Sequence, residues 1–369
     1  MFLGERIRQA REIRGLTQEE LAEKLICSQA LVAQVEAGFK LPTGDFIESV
    51  AEATEFPITF FNEPPHPEFG IAEILLRAQR TAKRREILGT VRYAEHVYAI
   101  YVALAARLKP IPVRIPEVVD SPKEAAKQVR KVLGLEPNSP IANLTHALER
   151  AGVRFIVVSP SHAHDAFCIW FRKDENETPL IAAVGGREDG DRYRLSVAHE
   201  LGHLVMHRSF LRKSNKEVED EAWAFAAELL MPEAAIRSEL ILPLTITALA
   251  RLKPRWGVSV AALIRRAYDL NIVTKRQYHY LSHQMSALGY KTREPKNLDV
   301  PMEKPRLLRK MAEMVYGKPI DFDRFSADTK TLARELRMIL KDYQEVGDDA
   351  SVPALEKKVI RFQPRAMRN

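Results

Sequence analysis

Apolar positions in residues 1 to about 60 recur at helical spacing. Leu16, Leu21 and Leu25 make one stripe, and Thr17 followed by Glu20 is a capping box at its start. The segment "SQALVAQVEAG" follows a tight turn and ends at Gly38, a residue suited to closing a helix. "FNEPPHPEFG" holds three prolines in four positions and reads as a linker. A helical, basic stretch then runs from about 71 to 108, with Arg77, Arg80, Lys83, Arg84 and Arg85 clustered. After the break "KPIPVRIP", a further helix is predicted with Ser121 as N-cap, Pro122 at its first position and Glu124 closing the box. Three β-like runs follow, "VRFIVVS", "AFCIWF" and "PLIAAV". Two helices come next: one over roughly 192 to 208, and one in "SNKEVEDEAWAFAAELLMP", which starts at a Ser214–Glu217 box and stops before Pro232. The remainder is mostly helical, interrupted by "REPKNLDVPMEKP". The pattern predicts an α+β fold that is mostly α, with a small sheet.

Composition narrows this. With 369 residues, 46% hydrophobic, the chain is long enough for two or three domains. The longest apolar run, "HVYAIYVALAARL", is too short to span a bilayer and reads as a buried helix, so no membrane partner is expected. The start "MFLGERIRQA" does not fit a signal peptide. Two cysteines, Cys27 and Cys168, give no disulfide framework and fit a cytoplasmic protein. The net charge of +7 permits a nucleic-acid partner.

The stretch "AHELGHLVMH" carries the candidate chemistry. His199 and His203, four apart, project from one helix face and can reach one metal ion. Glu200 is rotated about 100° from His199. It is therefore placed to act as a base toward a water at the site, as in H-E-x-x-H metallopeptidases. A third protein ligand is needed, and the next helix offers acids. From Glu219 the same-face positions are Ala222, Trp223, Ala226 and Leu230, so Glu219 is expected at the end of a buried stripe, facing the core. Glu221 is the next choice, and Asp220 is not excluded. His207 lies one turn beyond His203. Three ligands in a row along a helix cannot surround one ion, so a supporting or packing role is expected for it.

"RYRLSVAHELGHLVMH" paired with "EDEAWAFAAELLMP" resembles the ImmA/IrrE family of metallopeptidases, as do "PIANLTHALERAGVRFIV" and "WGVSVAALIRRAYDLNIV". The resemblance implies a zincin-like domain with Zn2+ on His199, His203 and Glu219, and with Glu200 as general base. Members are implicated in cutting helix-turn-helix repressors. Trp223 stands where asparagine is common, which should alter packing rather than chemistry.

"GERIRQAREIRGLTQEELAEKLICSQALVAQVEAGFKLP" resembles the lambda-repressor-like, Xre-type helix-turn-helix family. The resemblance implies Gln18 on a DNA phosphate, with Ser28, Gln29, Ala30 and Gln34 facing bases. Two departures stand out. Ile26 occupies a turn position usually held by glycine, which predicts strain or a different shape. Residues 1–60 also carry six basic and ten acidic residues, a net charge of −4. Since phosphate neutralisation dominates DNA affinity, the module alone should bind weakly, with the basic helix past the linker supplying phosphate contacts. "VSVAALIRRAYDLNIVTKRQYHYLSHQ" offers a second helix-turn-helix-like unit, on which Arg265, Arg266, Lys275 and Arg276 would give a basic surface.

The expected domains are therefore helix-turn-helix over 1–62, a linker and basic helix over 63–118, and a zincin-like domain over 119–240. A helical segment over 241–290 and a helical C-terminal region over 291–369 complete the chain. The expected function is a DNA-binding transcriptional regulator whose zinc-dependent endopeptidase domain cleaves a repressor or other regulatory protein. Its partners would be a double-stranded DNA operator, that protein substrate and a second copy in a homodimer. The alternative is a non-cleaving transcription factor or antitoxin-like protein that uses a zinc-bound zincin domain as sensor or docking module.

Overall fold

A computed structural model describes residues 3–66, 68–69, 84–118, 120–158, 167–173, 176–184, 189–208 and 214–344. The fold is mostly α with one three-stranded sheet. Four helices open it: α1 (Gly4–Ile13), α2 (Gln18–Lys24), α3 (Gln29–Glu36) and α4 (Gly44–Thr54). The Thr17–Glu20 capping box forms as its residues predict. Ile26 adopts φ 51°, the left-handed region that a β-branched residue resists, with its side chain 95% exposed. The turn therefore keeps the glycine conformation and bears the strain. Ile7, Ile13, Leu21, Val32, Ile47 and Phe60 fill a small core of their own.

The long helix α5 (Arg84–Ala105) follows, then α6 (Pro122–Val132) and α7 (Leu144–Arg150). Strands β1 (Arg154–Val158), β2 (Phe167–Lys173) and β3 (Asn176–Val184) are ordered β1-β3-β2, with β1 parallel and β2 antiparallel to β3. The two-residue period of the strands divides their side chains between two cores. Phe155, Cys168, Ile181 and Ala183 join one, while Ile156, Val158, Leu180 and Ala182 join the other; Val157 departs from the alternation and sides with the second. A sheet covered on both faces needs nearly continuous apolar strands, which is why these runs barely alternate.

The first core is built with α8 (Gly190–Met206) and α9 (Asn215–Leu230). It extends through α10 (Glu233–Glu239), α11 (Ile246–Trp256), α12 (Val260–Asp269) and α13 (Lys275–Ala287). The second is closed by α5 together with α14 (Leu307–Tyr316), α15 (Phe322–Thr329) and α16 (Ala333–Lys341). The C-terminal helices thus cover the sheet face opposite α8. No helix among the described residues is long and apolar enough to cross a membrane.

Candidate metal centre

Helix α8 is anchored by buried charge pairs near its start. Arg194 donates to Glu303 at 2.8 Å, and Asp191 accepts from Lys253 at 2.8 Å. Further along, Gly202 lets α9 come close: a Cβ there would lie 3.1 Å from Phe225 and 3.2 Å from Ala222. That approach brings the start of α9 to the histidines. The Ser214–Glu217 box fixes where α9 begins, and so which of its acids arrives there.

The acid is Glu219. His199 Nε2 and His203 Nε2 stand 3.1 Å apart, and the Glu219 carboxylate lies 3.3 Å from the first and 3.4 Å from the second. Two imidazole nitrogens and a carboxylate, all lone-pair donors, converge within 4.8 Å of one another. Ligand atoms about 2.0–2.1 Å from a tetrahedral ion stand roughly 3.3–3.4 Å apart, so the observed separations suit one small cation. His199 and then His203 hold the Glu219 carboxyl well below the usual carboxylate range by hydrogen bonding, so it is ionised at neutral pH. Both histidines are buried, but Glu219 is 43% exposed. It therefore lies at the rim and not against the core as its stripe suggested. The stripe itself ends one turn later, because Ala222, Phe225, Ala226 and Leu230 are buried while Trp223 is half-exposed. Glu200 is buried on α8 beside His199.

Glu221 points elsewhere. His207 caps the end of α8; its Nδ1 lies 3.1 Å from His203 Nδ1 and its Nε2 2.9 Å from Glu221 Oε2. If His203 presents its Nε2 lone pair, its Nδ1–H donates to His207, and His207 Nε2–H donates to Glu221. One tautomer assignment satisfies the whole chain. His199 has no such chain. Its imidazole lies against the Trp223 indole, with centroids 4.1 Å apart and planes 34° apart.

The expected DNA-facing residues have other company. Gln18 Nε2 donates to Glu36 at 2.9 Å, Gln29 Nε2 donates to Gln18 at 3.4 Å, and Arg11 pairs with Glu36 at 2.6 and 2.9 Å. Ser28 accepts from Leu31 N as the N-cap of α3. Gln34 and Ala30 are exposed on that helix. Part of the acidic excess of this region is answered by the rest of the chain: Arg85 pairs with Glu20 at 2.7 Å, Arg92 with Glu12 at 2.7 Å and Arg334 with Glu55 at 3.0 Å. Arg14 reaches Glu335 at 3.3 Å. Arg77, Arg80 and Lys83 of the expected basic cluster lie outside the described residues. Arg85, the member whose side chain is described, is committed to Glu20 and Gly15 O rather than offered to a phosphate. Nothing local in the sequence distinguishes Arg85 from its neighbours.

In the second helix-turn-helix-like unit, α12 and α13 meet at a turn where Asn271 is left-handed, φ 55°. The expected basic surface is only half there. Arg266 is buried on Glu228 and Arg265 pairs with Asp269 of its own helix, while Lys275 and Arg276 are exposed.

Residues 3–59 match the family model described as a helix-turn-helix domain, and residues 149–268 match that of the IrrE N-terminal-like domain, a peptidase family. The chain therefore joins an N-terminal helix-turn-helix domain to an IrrE-like peptidase-family domain. No curated relative matches it. Among solved structures it is similar to Bacillus thuringiensis PlcR in complex with the peptide PapR7 and DNA. Identity is 12%, the match covers 78% of this chain and 97% of that one, and the TM-score of 0.16 is too low to carry an argument.

Proposed function

We propose that the chain is a DNA-binding transcriptional regulator with a zinc-dependent endopeptidase activity, directed at a regulatory protein such as a helix-turn-helix repressor. The observation that carries this is the convergence of His199 Nε2, His203 Nε2 and the Glu219 carboxylate at separations that suit one tetrahedral ion. In this reading those three residues hold Zn2+, which when bound supplies a Lewis acid for a peptide carbonyl and for water. Glu200 takes a proton from the attacking water as its oxygen bonds to the carbonyl carbon. It returns that proton to the departing amine as the C–N bond breaks. The chain Glu221–His207–His203 keeps His203 in the tautomer that leaves Nε2 free for the ion. The helix-turn-helix domain supports a double-stranded DNA partner, read by the exposed face of α3, with a second copy supplying the second half-site.

Glu200→Gln tests the chemistry, since it keeps size and hydrogen bonding but removes the base. Each version would be co-expressed with repressors encoded nearby and the products identified by mass spectrometry. The wild type should cut one of them and Glu200→Gln none, with bound metal unchanged. If Glu200→Gln keeps the full regulatory effect, the chain works by binding alone and is a non-cleaving regulator.

A further inference from the structure

We infer that Trp223 is the positioning residue for His199, orienting its imidazole by stacking where His203 is oriented by a hydrogen-bond chain; this rests on the metal reading above. The two histidines are supported unequally. His203 is tied through Nδ1 to His207 and on to Glu221. His199 Nδ1 is buried and has no hydrogen-bond partner among the described residues. An imidazole ligand normally fixes its ring by donating the second N–H to a carbonyl or carboxylate. Among the described residues no polar group holds the Nδ1 edge, so apart from the contacts of Nε2 itself no polar contact opposes a turn about Cβ–Cγ, which would exchange Nε2 for a carbon at the metal. The Trp223 indole, tilted 34° from the imidazole at 4.1 Å, blocks that rotation.

Core packing does not account for the tryptophan. Trp223 is 47% exposed, while Ala222 and Ala226 on the same helix are fully buried. Glu219 and Trp223 are four apart on α9, so one helix face delivers both the carboxylate and the ring that steadies the opposite ligand. The arrangement gives orientation without the added basicity that an acceptor confers, so His199 is the weaker donor of the pair.

The test uses the full chain titrated with Co2+ against a competing chelator, following the visible ligand-field bands. Trp223→Phe keeps a stacking face and should bind within a few-fold of wild type with the same spectrum. Trp223→Leu keeps apolar bulk without a face, and Trp223→Ala keeps neither. Both should bind about 10-fold or more weakly with altered bands, the scale seen when a ligand loses its outer support. Thermal unfolding of the metal-free proteins should be unchanged, since the ring lies at the surface. Should Trp223→Ala lower that midpoint, the Phe–Leu comparison carries the test alone. Equal affinity of the Phe and Leu variants, or wild-type affinity and spectrum in Trp223→Ala, overturns the assignment while leaving the metal reading intact. A wild-type chain that binds no Co2+ sinks the metal reading itself, which is a separate outcome.

Discussion

The N-terminal helices and the α8–α9 pair each hold a polar cluster, partly buried, and the two clusters are built in opposite ways. In the first, Arg11, Glu36, Gln18 and Gln29 form a closed relay in which donors and acceptors alternate. In the second, His199 Nε2, His203 Nε2 and the Glu219 carboxylate converge on one point and share the few protons that lie between them, protons that a cation would displace. Closed networks stabilise a fold and ask nothing of a ligand. A convergence of lone pairs is costly on its own and becomes favourable when a cation enters. Polar residues close in space therefore point to a site when their lone pairs converge on one point that a cation could fill.

Breaking the closed cluster should have the largest effect. Glu36→Ala leaves the buried Arg11 guanidinium with only Leu16 O and Glu12, and removing one partner of a buried pair costs up to about 3–5 kcal/mol. Urea unfolding of the full chain should show that loss in the transition of the N-terminal helices. A change under about 1 kcal/mol would mean that the existing contacts of Arg11 with Leu16 O and Glu12 suffice for it.

The open cluster should respond through metal and not through fold. His207→Ala breaks the link from His203 to Glu221, so metal affinity should fall about 10–100-fold, measured by chelator competition. The midpoint of metal-free unfolding should move far less than it does for Glu36→Ala. A stable metal complex of unchanged affinity would reduce His207 to a helix cap.

The smallest effect is expected at the seam between the N-terminal helices and α5. Arg85 and Glu20 are both exposed, 52% and 40%, so solvent screens their pairing and it contributes little. Arg85→Ala should therefore barely change stability. Because its guanidinium is turned to Glu20, it should also leave the salt slope of DNA binding unchanged in fluorescence anisotropy. A flatter slope would return Arg85 to the phosphate backbone.

The helices were legible because their ends carry their own signals: Thr17 with Glu20, Ser121 with Pro122, and Ser214 with Glu217. Of the candidate site, the i, i+4 pair His199 and His203 was visible because helical spacing alone puts the two rings together. The pairing of His207 with Glu221 was not visible, because it depends on how closely α9 approaches at Gly202, a tertiary fact. The acidic count of residues 1–60 did not show which acids would find partners, since the arginines that answer Glu12, Glu20 and Glu55 come from α5 and α16, far along the chain. Likewise, mixed charge in the C-terminal helices gave no hint that they cover the second face of the sheet. The near-continuous apolar strands were the only trace of it.

The central claim is that His199, His203 and Glu219 form one metal site and Glu221 does not belong to it. Metal content of the purified chain, measured by mass spectrometry for the wild type, Glu219→Ala and Glu221→Ala, tests this most directly. The account predicts about one Zn2+ per chain in the wild type, loss of that ion in Glu219→Ala, and an ion retained in Glu221→Ala with weakened affinity. Loss of metal in Glu221→Ala with full occupancy in Glu219→Ala would contradict it.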